Sequence, residues 1–158
     1  MTTNCTIRAF HAEDAAELLE LFTNTVHTIN PRDYTPVQIA AWAPRDRDTI
    51  AWQHSFENKH IFIAECDGMI AGFAELEDDG HIDRVYNHHD FQGKGVGKML
   101  LNALETKARD LSIQRLYAEV SITARPFFAG LGFELEVEQT VERLGVQMTN
   151  FRMYKYLN

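Results

Sequence analysis

Apolar and polar positions switch several times between a two-residue and a three-to-four-residue period, and each switch marks an element. Residues 5–10 alternate and predict a first strand. From Asp14 the spacing lengthens, placing Ala15, Leu18, Leu19, Leu21 and Phe22 on one side of a helix. Pro31, Pro36 and Pro44 break the next stretch into short pieces, so short helices are expected over 36–42 and 48–58, the second capped by Asp46 or Asp48. Alternation returns over 60–66 and 69–77 around Asp67-Gly68, a strong two-residue hairpin signal. After Asp78-Asp79-Gly80 a third strand runs over 81–88. Val96, Leu100, Leu104 and Leu111 then form the stripe of a helix reaching about Asp110. Strands over 115–121, 133–141 and 146–156 follow, with a short helix over 123–130 and a turn at Leu144-Gly145. A meander combined with two crossovers predicts an α+β fold with a mixed sheet.

The length of 158 residues fits one domain, 1–158, and 45% hydrophobic with 24% charged residues is ordinary for a globular chain. No apolar run approaches the roughly 20 residues needed to cross a bilayer, and the first five residues lack signal-peptide features. No membrane partner is expected. Cys5 and Cys66 form no disulfide framework and no metal-ligand spacing; they read as small core residues, and the chain as cytoplasmic. A net charge of −8 argues against nucleic-acid binding, which depends on neutralising phosphate. Residues 92–125 run the other way, with six basic against three acidic residues. A basic patch on an acidic body suits an anionic cofactor on one side and a cationic substrate on the other.

The candidate chemistry centres on Gln92-Gly93-Lys94-Gly95-Val96-Gly97-Lys98, between a strand and a helix. Glycines let a backbone approach a ligand closely, and free amides at a helix start favour an anion such as pyrophosphate. The loop is neither a P-loop, which would need glycine at Gln92 and Ser or Thr at Met99, nor a dinucleotide fingerprint, which would need glycine at Lys98 or Leu100.

The spacing Gln-x-x-Gly-x-Gly at Gln92, Gly95 and Gly97 resembles the acetyl-CoA signature of the GNAT superfamily of N-acetyltransferases. The block Ala124-Arg125-Pro126-Phe127-Phe128-Ala129-Gly130-Leu131-Gly132-Phe133 is similar to that family's second block, and Ser121 stands where many members carry Asn. The element order agrees along nearly the whole chain. The resemblance implies a GNAT-like sheet, mixed but mostly antiparallel, with splayed central parallel strands at 81–88 and 115–121 and helices on both faces. It implies acetyl-CoA as co-substrate, its pantetheine arm pairing with Val85, Tyr86 and Asn87. The pyrophosphate would lie on the amides of Gln92, Gly93, Lys94, Gly95, Val96, Gly97 and Lys98, with Ser121, Phe127 and Phe128 beside the cofactor.

Acetyl transfer to a primary amine, whose pKa is roughly 10, needs a proton acceptor, an oxyanion donor and stabilisation of the departing thiolate. His81 and Asp83 share a strand face and are the candidate base or water relay, in line with the resemblance; Glu75 is a third carboxylate, suited to holding a cationic substrate. Most relatives carry Tyr, as general acid, where this chain has Phe128. Tyr86, Ser121, Thr149 and Tyr154 are alternative donors, or the thiolate leaves unassisted. Phe128 also motivates the alternative of a non-catalytic acyl-CoA-binding module. No metal is expected, because no His–carboxylate metal spacing appears. The acceptor is expected to be a small-molecule or peptide amine, cationic, between Tyr34, Trp42, Trp52, Glu75 and Asn150. Relatives are commonly dimers, and an exposed final strand would offer an edge for a homodimer.

Overall fold

Asp67 and Gly68 both take positive φ, 51° and 81°, giving the mirror-image turn that matches the twist of a hairpin. The turn joins β2 (His60–Cys66) to β3 (Met69–Leu76) within a four-stranded antiparallel sheet in the order β1-β2-β3-β4, with β1 at Cys5–Ala9 and β4 at Ile82–Asn87. Leu144 and Gly145 make the same kind of turn, at φ 49° and 78°, between β6 (Glu134–Arg143) and β7 (Val146–Tyr156). With β5 (Arg115–Ser121) they form a second antiparallel sheet, ordered β5-β7-β6. These coordinates come from a computed structural model describing residues 4–158; Met1, Thr2 and Thr3, within the segment read as lacking a leader, lie outside the described residues.

The helices are α1 (Ala15–Ile29), α2 (Pro36–Trp42), α3 (Thr49–His54), α4 (Val96–Asp110) and α5 (Arg125–Gly130). Side-chain caps set the starts of α2 and α3. Asp14 precedes α1 and Thr35 caps α2, accepting from the Gln38 amide, with Pro36 at the first turn. Asp48, not Asp46, caps α3 by accepting from the amides of Ile50 and Ala51. Alternation along β2 and β3 divides the core. Ile61, Ile63 and Phe73 face α1, α2 and α3, together with Leu18, Phe22 and Trp52. Ala64, Ala74 and Leu76 face α4, against Leu100, Leu101 and Leu104. Helices therefore cover both faces of the first sheet. Leu111, expected on the α4 stripe, lies past the helix end and is 39% exposed.

Three expectations are corrected. A single mixed sheet is not formed: each sheet is antiparallel, and an isolated parallel bridge from His81 to Tyr117 is the only strand pairing between β4 and β5 among the described residues. The final strand has no free edge, because β7 is hydrogen-bonded to β5 on one side and β6 on the other; the open edge of that sheet is β6. Cys5 and Cys66 are not separate thiols. They sit opposite one another in the β1–β2 ladder and form a disulfide, which removes the cysteine-based argument for a reducing compartment. No helix among the described residues is long and apolar enough to cross a membrane.

Candidate active site

β4 and β5 lie at facing edges of the two sheets, and their one bridge is supported by a hydrogen bond from the Tyr117 amide to the Gly80 carbonyl, 3.1 Å. Beyond His81 the facing edge of β4 has no strand partner among the described residues. A cleft of about 1100 Å³ opens there, bounded by β4, the glycine loop, the end of β5, α5 and the β6–β7 hairpin. It is large enough for an extended ligand.

The glycine loop closes one end. Gly93 and Gly95 have φ of 73° and 81°, and a Cβ at either would point into open space. The requirement at these two positions is conformational. Gly97 is different: its Cβ would meet the Phe127 ring at 2.8 Å and the Asn87 amide at 3.0 Å, so here glycine is needed for close packing. None of the amides of residues 92–98 donates to a backbone carbonyl among the described residues. Gly95 caps the fifteen-residue α4, so the helix dipole adds to these free donors. The Gln92 side chain donates to the carbonyls of Asn87 at 3.1 Å and His88 at 3.4 Å, and so ties the loop to the end of β4. On the other side of β4 the Thr25 hydroxyl also donates to the Asn87 carbonyl, at 2.9 Å.

The cleft gathers Val85, Tyr86, Asn87, Gln92, Gly93, Gly95, Val96, Gly97, Lys98, Ser121, Phe127 and Phe128, as well as His81 and Asp83; Lys94 is not in its lining. Ser121 accepts from the Ala124 amide at 3.0 Å, which sets the start of α5. Phe128 is buried edge-on between Phe127 and Phe133. Among the alternative acids, the Tyr86 hydroxyl accepts from the Trp42 indole at 3.2 Å, and burial pushes it up to about 12. Thr149 reaches the cleft, whereas Tyr154 does not line it.

Glu75 leaves the candidate set for a physical reason. It is fully buried within β3, outside the cleft lining, and both its oxygens are occupied: Lys59 donates to one at 3.0 Å, and Arg84 binds it through two nitrogens. Burial pushes its carboxyl up against the pull of these cations. The charge expected to hold a substrate thus holds Lys59 and Arg84 instead. A bulge in β4 between Ile82 and Val85 presents Asp83 and Arg84 at this point. Lys59 also donates to Asp83 at 2.5 Å. Burial alone would raise the Asp83 carboxyl, but Lys59 outweighs it and leaves the group below its usual range. The other Asp83 oxygen has no hydrogen bond from the described residues.

His81 is held at both ring nitrogens, by Glu77 at 2.5 Å and Glu119 at 2.7 Å. The Glu119 bond, opposed by burial and reinforced by Glu77, raises it to about 9. Both nitrogens are then donors, and the ring is an imidazolium at neutral pH. It cannot accept a proton there. Sequence reasoning missed Lys59 and Glu119, which meet their partners through the fold, and Glu77, which reaches His81 from four residues away across the Asp78-Asp79-Gly80 turn. Ligand-type groups do come together, contrary to expectation: Glu77, His81 and Asp83 form one cluster, and His88, His89 and Asp90 another.

The cleft thus brings together free amides at a helix start, an open strand edge and a carboxylate with an unused oxygen among the described residues. The family follows from comparison. A model described as Acetyltransferase (GNAT) domain matches residues 30–155, and the chain belongs to that family; it is an N-acetyltransferase. The uncharacterised N-acetyltransferase YafP of Escherichia coli K12 is 29% identical over 150 residues, 95% of each chain. A GCN5-related N-acetyltransferase from Rhodopseudomonas palustris superposes with a TM-score of 0.94 at 30% identity, covering 99% of this chain and 98% of that one. PaiA N-acetyltransferase from Thermoplasma acidophilum, in complex with coenzyme A, has the same fold, with a TM-score of 0.77 at 21% identity over 98% and 99% of the two chains.

Proposed function

We propose that residues 1–158 act as one domain that binds acetyl-CoA and transfers its acetyl group to a primary amine by direct attack in a ternary complex. The observation that carries this reading is the run of residues 92–98, whose amides have no carbonyl partner among the described residues, beside the unpaired edge of β4. The loop amides would hold the pyrophosphate, with Lys98 contributing charge at the same end. The edges of β4 and β5 are read as the splayed pair, with Val85, Tyr86 and Asn87 offering backbone to the pantetheine arm. The bound thioester supplies an electrophilic acyl carbon and a thiolate leaving group.

Asp83 is the residue assigned to accept the amine proton, directly or through water. It alone of the two strand candidates is unprotonated at neutral pH and has a free oxygen. His81 serves as a fixed positive charge beside it, set by Glu77 and Glu119. Phe127 and Phe128 exclude water near the departing sulfur but donate no proton, so the thiolate leaves without a phenol. Its conjugate acid, near about 8.5 by analogy with cysteine, makes that feasible.

The test is release of free thiol from acetyl-CoA across a panel of amines. Amine-dependent release is expected. Tight coenzyme A binding with no turnover on any amine would refute the reading in favour of a binding module.

A further inference from the structure

Beyond the acetyl donor, Arg47 and Asn150 carry polar groups in the cleft that have no partner among the described residues. Arg47 lies over the rings of Phe22 and Trp52, at 5.2 and 5.7 Å, and donates through Nη2 to the Trp42 carbonyl at 2.8 Å. Its buried Nε has no hydrogen-bond partner among the described residues. Asn150 of β7 is only 8% exposed, and its Oδ1 is likewise unpartnered. Both residues line the cleft. Asn150 pairs in register with Ser121 at the end of β5, which places it beside the mouth of the β4–β5 gap.

Charge accounting points the same way. Arg84 is compensated by Glu75, and His81 by Glu77 and Glu119. Arg47 and Arg143, also in the lining, form no ion pair with a carboxylate among the described residues. Arg143 closes the β6 end of the cleft, and its charge is felt at the Tyr34 and Tyr86 hydroxyls. Burial, then Arg84, and also Arg143, push Arg47 below its usual range. Like charges facing a cleft without a counter-ion lose repulsion when an anion enters, and an orphaned buried donor regains its bond.

We infer that the acceptor is an amine that also carries a nearby anionic group, as a free amino acid does, with the carboxylate held by Arg47 and Arg143 and the amine directed to the Asn150 amide. This rests on the acetyltransferase reading above and adds an anionic group to the cationic amine expected from the sequence. A guanidinium matches a carboxylate in shape as well as charge. The aromatic walls at Phe22, Trp42 and Trp52 favour apolar side chains on that acceptor.

The experiment compares phenylalanine and methionine with their amides, their decarboxylated amines and tripeptides in which amine and carboxylate are far apart. Thiol release is followed at saturating acetyl-CoA. The free amino acids are expected to exceed the amides by about ten- to hundredfold in kcat/KM. Arg47→Gln and Arg143→Gln should each reduce that ratio, through KM, with coenzyme A affinity retained. Arg143 is exposed, so its variant tests the idea even if the Arg47 variant fails to fold. Equal rates for acids and amides, or ratios untouched in both variants, overturn the anion site while the acetyltransferase reading stands. If no amine releases thiol, that reading fails, and calorimetric titration of phenylalanine and methionine into coenzyme A-saturated protein decides the site separately. Saturable heat lost in Arg143→Gln supports it; no saturable binding by either overturns it.

Discussion

His81 and Glu119 face one another across the bridge that joins the two sheets, with the imidazole Nε2 2.7 Å from the carboxylate. The ion pair therefore clamps the closed end of the β4–β5 gap. Because the raised His81 value of about 9 exceeds its usual 6.5, the protonated ring favours the folded state. Its contribution is complete below pH 6.5 and is lost as pH rises through 9. After allowance for solvent screening, the loss should be roughly 1–2 kcal/mol. Urea unfolding at pH 6.5 and 9.5 should show it in the wild type and not in His81→Gln. An equal pH response in both proteins would contradict the clamp.

Lys59 holds the Asp83 carboxyl below its usual range, which is what the proposed base role requires. Asp83→Asn should lower kcat by about 10²–10⁴-fold, the range of general-base contributions, without weakening coenzyme A binding. Lys59→Met leaves the carboxylate in place but removes the charge that holds it ionised, so burial then raises it. The base works only when unprotonated, so the acid limb of the rate–pH profile should move to higher pH. An unmoved limb would assign the proton transfer to another group.

Legibility in the sequence followed the range of the interactions. Asp67-Gly68, the break at Pro36, and the loop of Gly93, Gly95 and Gly97 act within a few residues, and the hairpin turn, the helix start and the loop spacing were readable directly. The fates of His81, Glu75 and Cys5 depend on groups far away: Glu119 lies 38 residues from His81, and Cys66 lies 61 from Cys5. No local pattern records such pairings. Strand alternation put His81 and Asp83 on one face but carried no sign that one would be a fixed cation and the other the free carboxylate. That difference comes from Glu119 and Lys59, brought in by the fold, and from Glu77 across the adjoining turn.

Reducing the disulfide should destabilise the protein while sparing the cleft. A bridge closing 61 residues of separation restricts the unfolded chain by up to about 4 kcal/mol in the chain-entropy account. The loss should be smaller than this limit, because Arg8 still holds β1 through Asp14 and Glu65. β1 lies three strands from β4 in the sheet order, so coenzyme A affinity should be unchanged. Unfolding of wild type with and without reductant, beside Cys5→Ser, checks this. Identical midpoints, with two alkylatable thiols in native protein, would remove the bridge.

Gly95 and Gly97 should separate conformational from steric need. Gly95→Ala forces an L-residue to φ 81°, costing about 1–2 kcal/mol and disturbing the free amides at the start of α4. Gly97→Ala meets no such φ penalty and gains helix propensity, but its methyl must displace the Phe127 ring that lines the cleft. Stability should therefore fall in the first variant and stay near wild type in the second. Both should bind coenzyme A at least about tenfold more weakly, since one moves the donors and the other narrows the space beside them. Calorimetric titration beside thermal unfolding reads both quantities. Undiminished affinity in two folded variants would place the diphosphate elsewhere on the molecule.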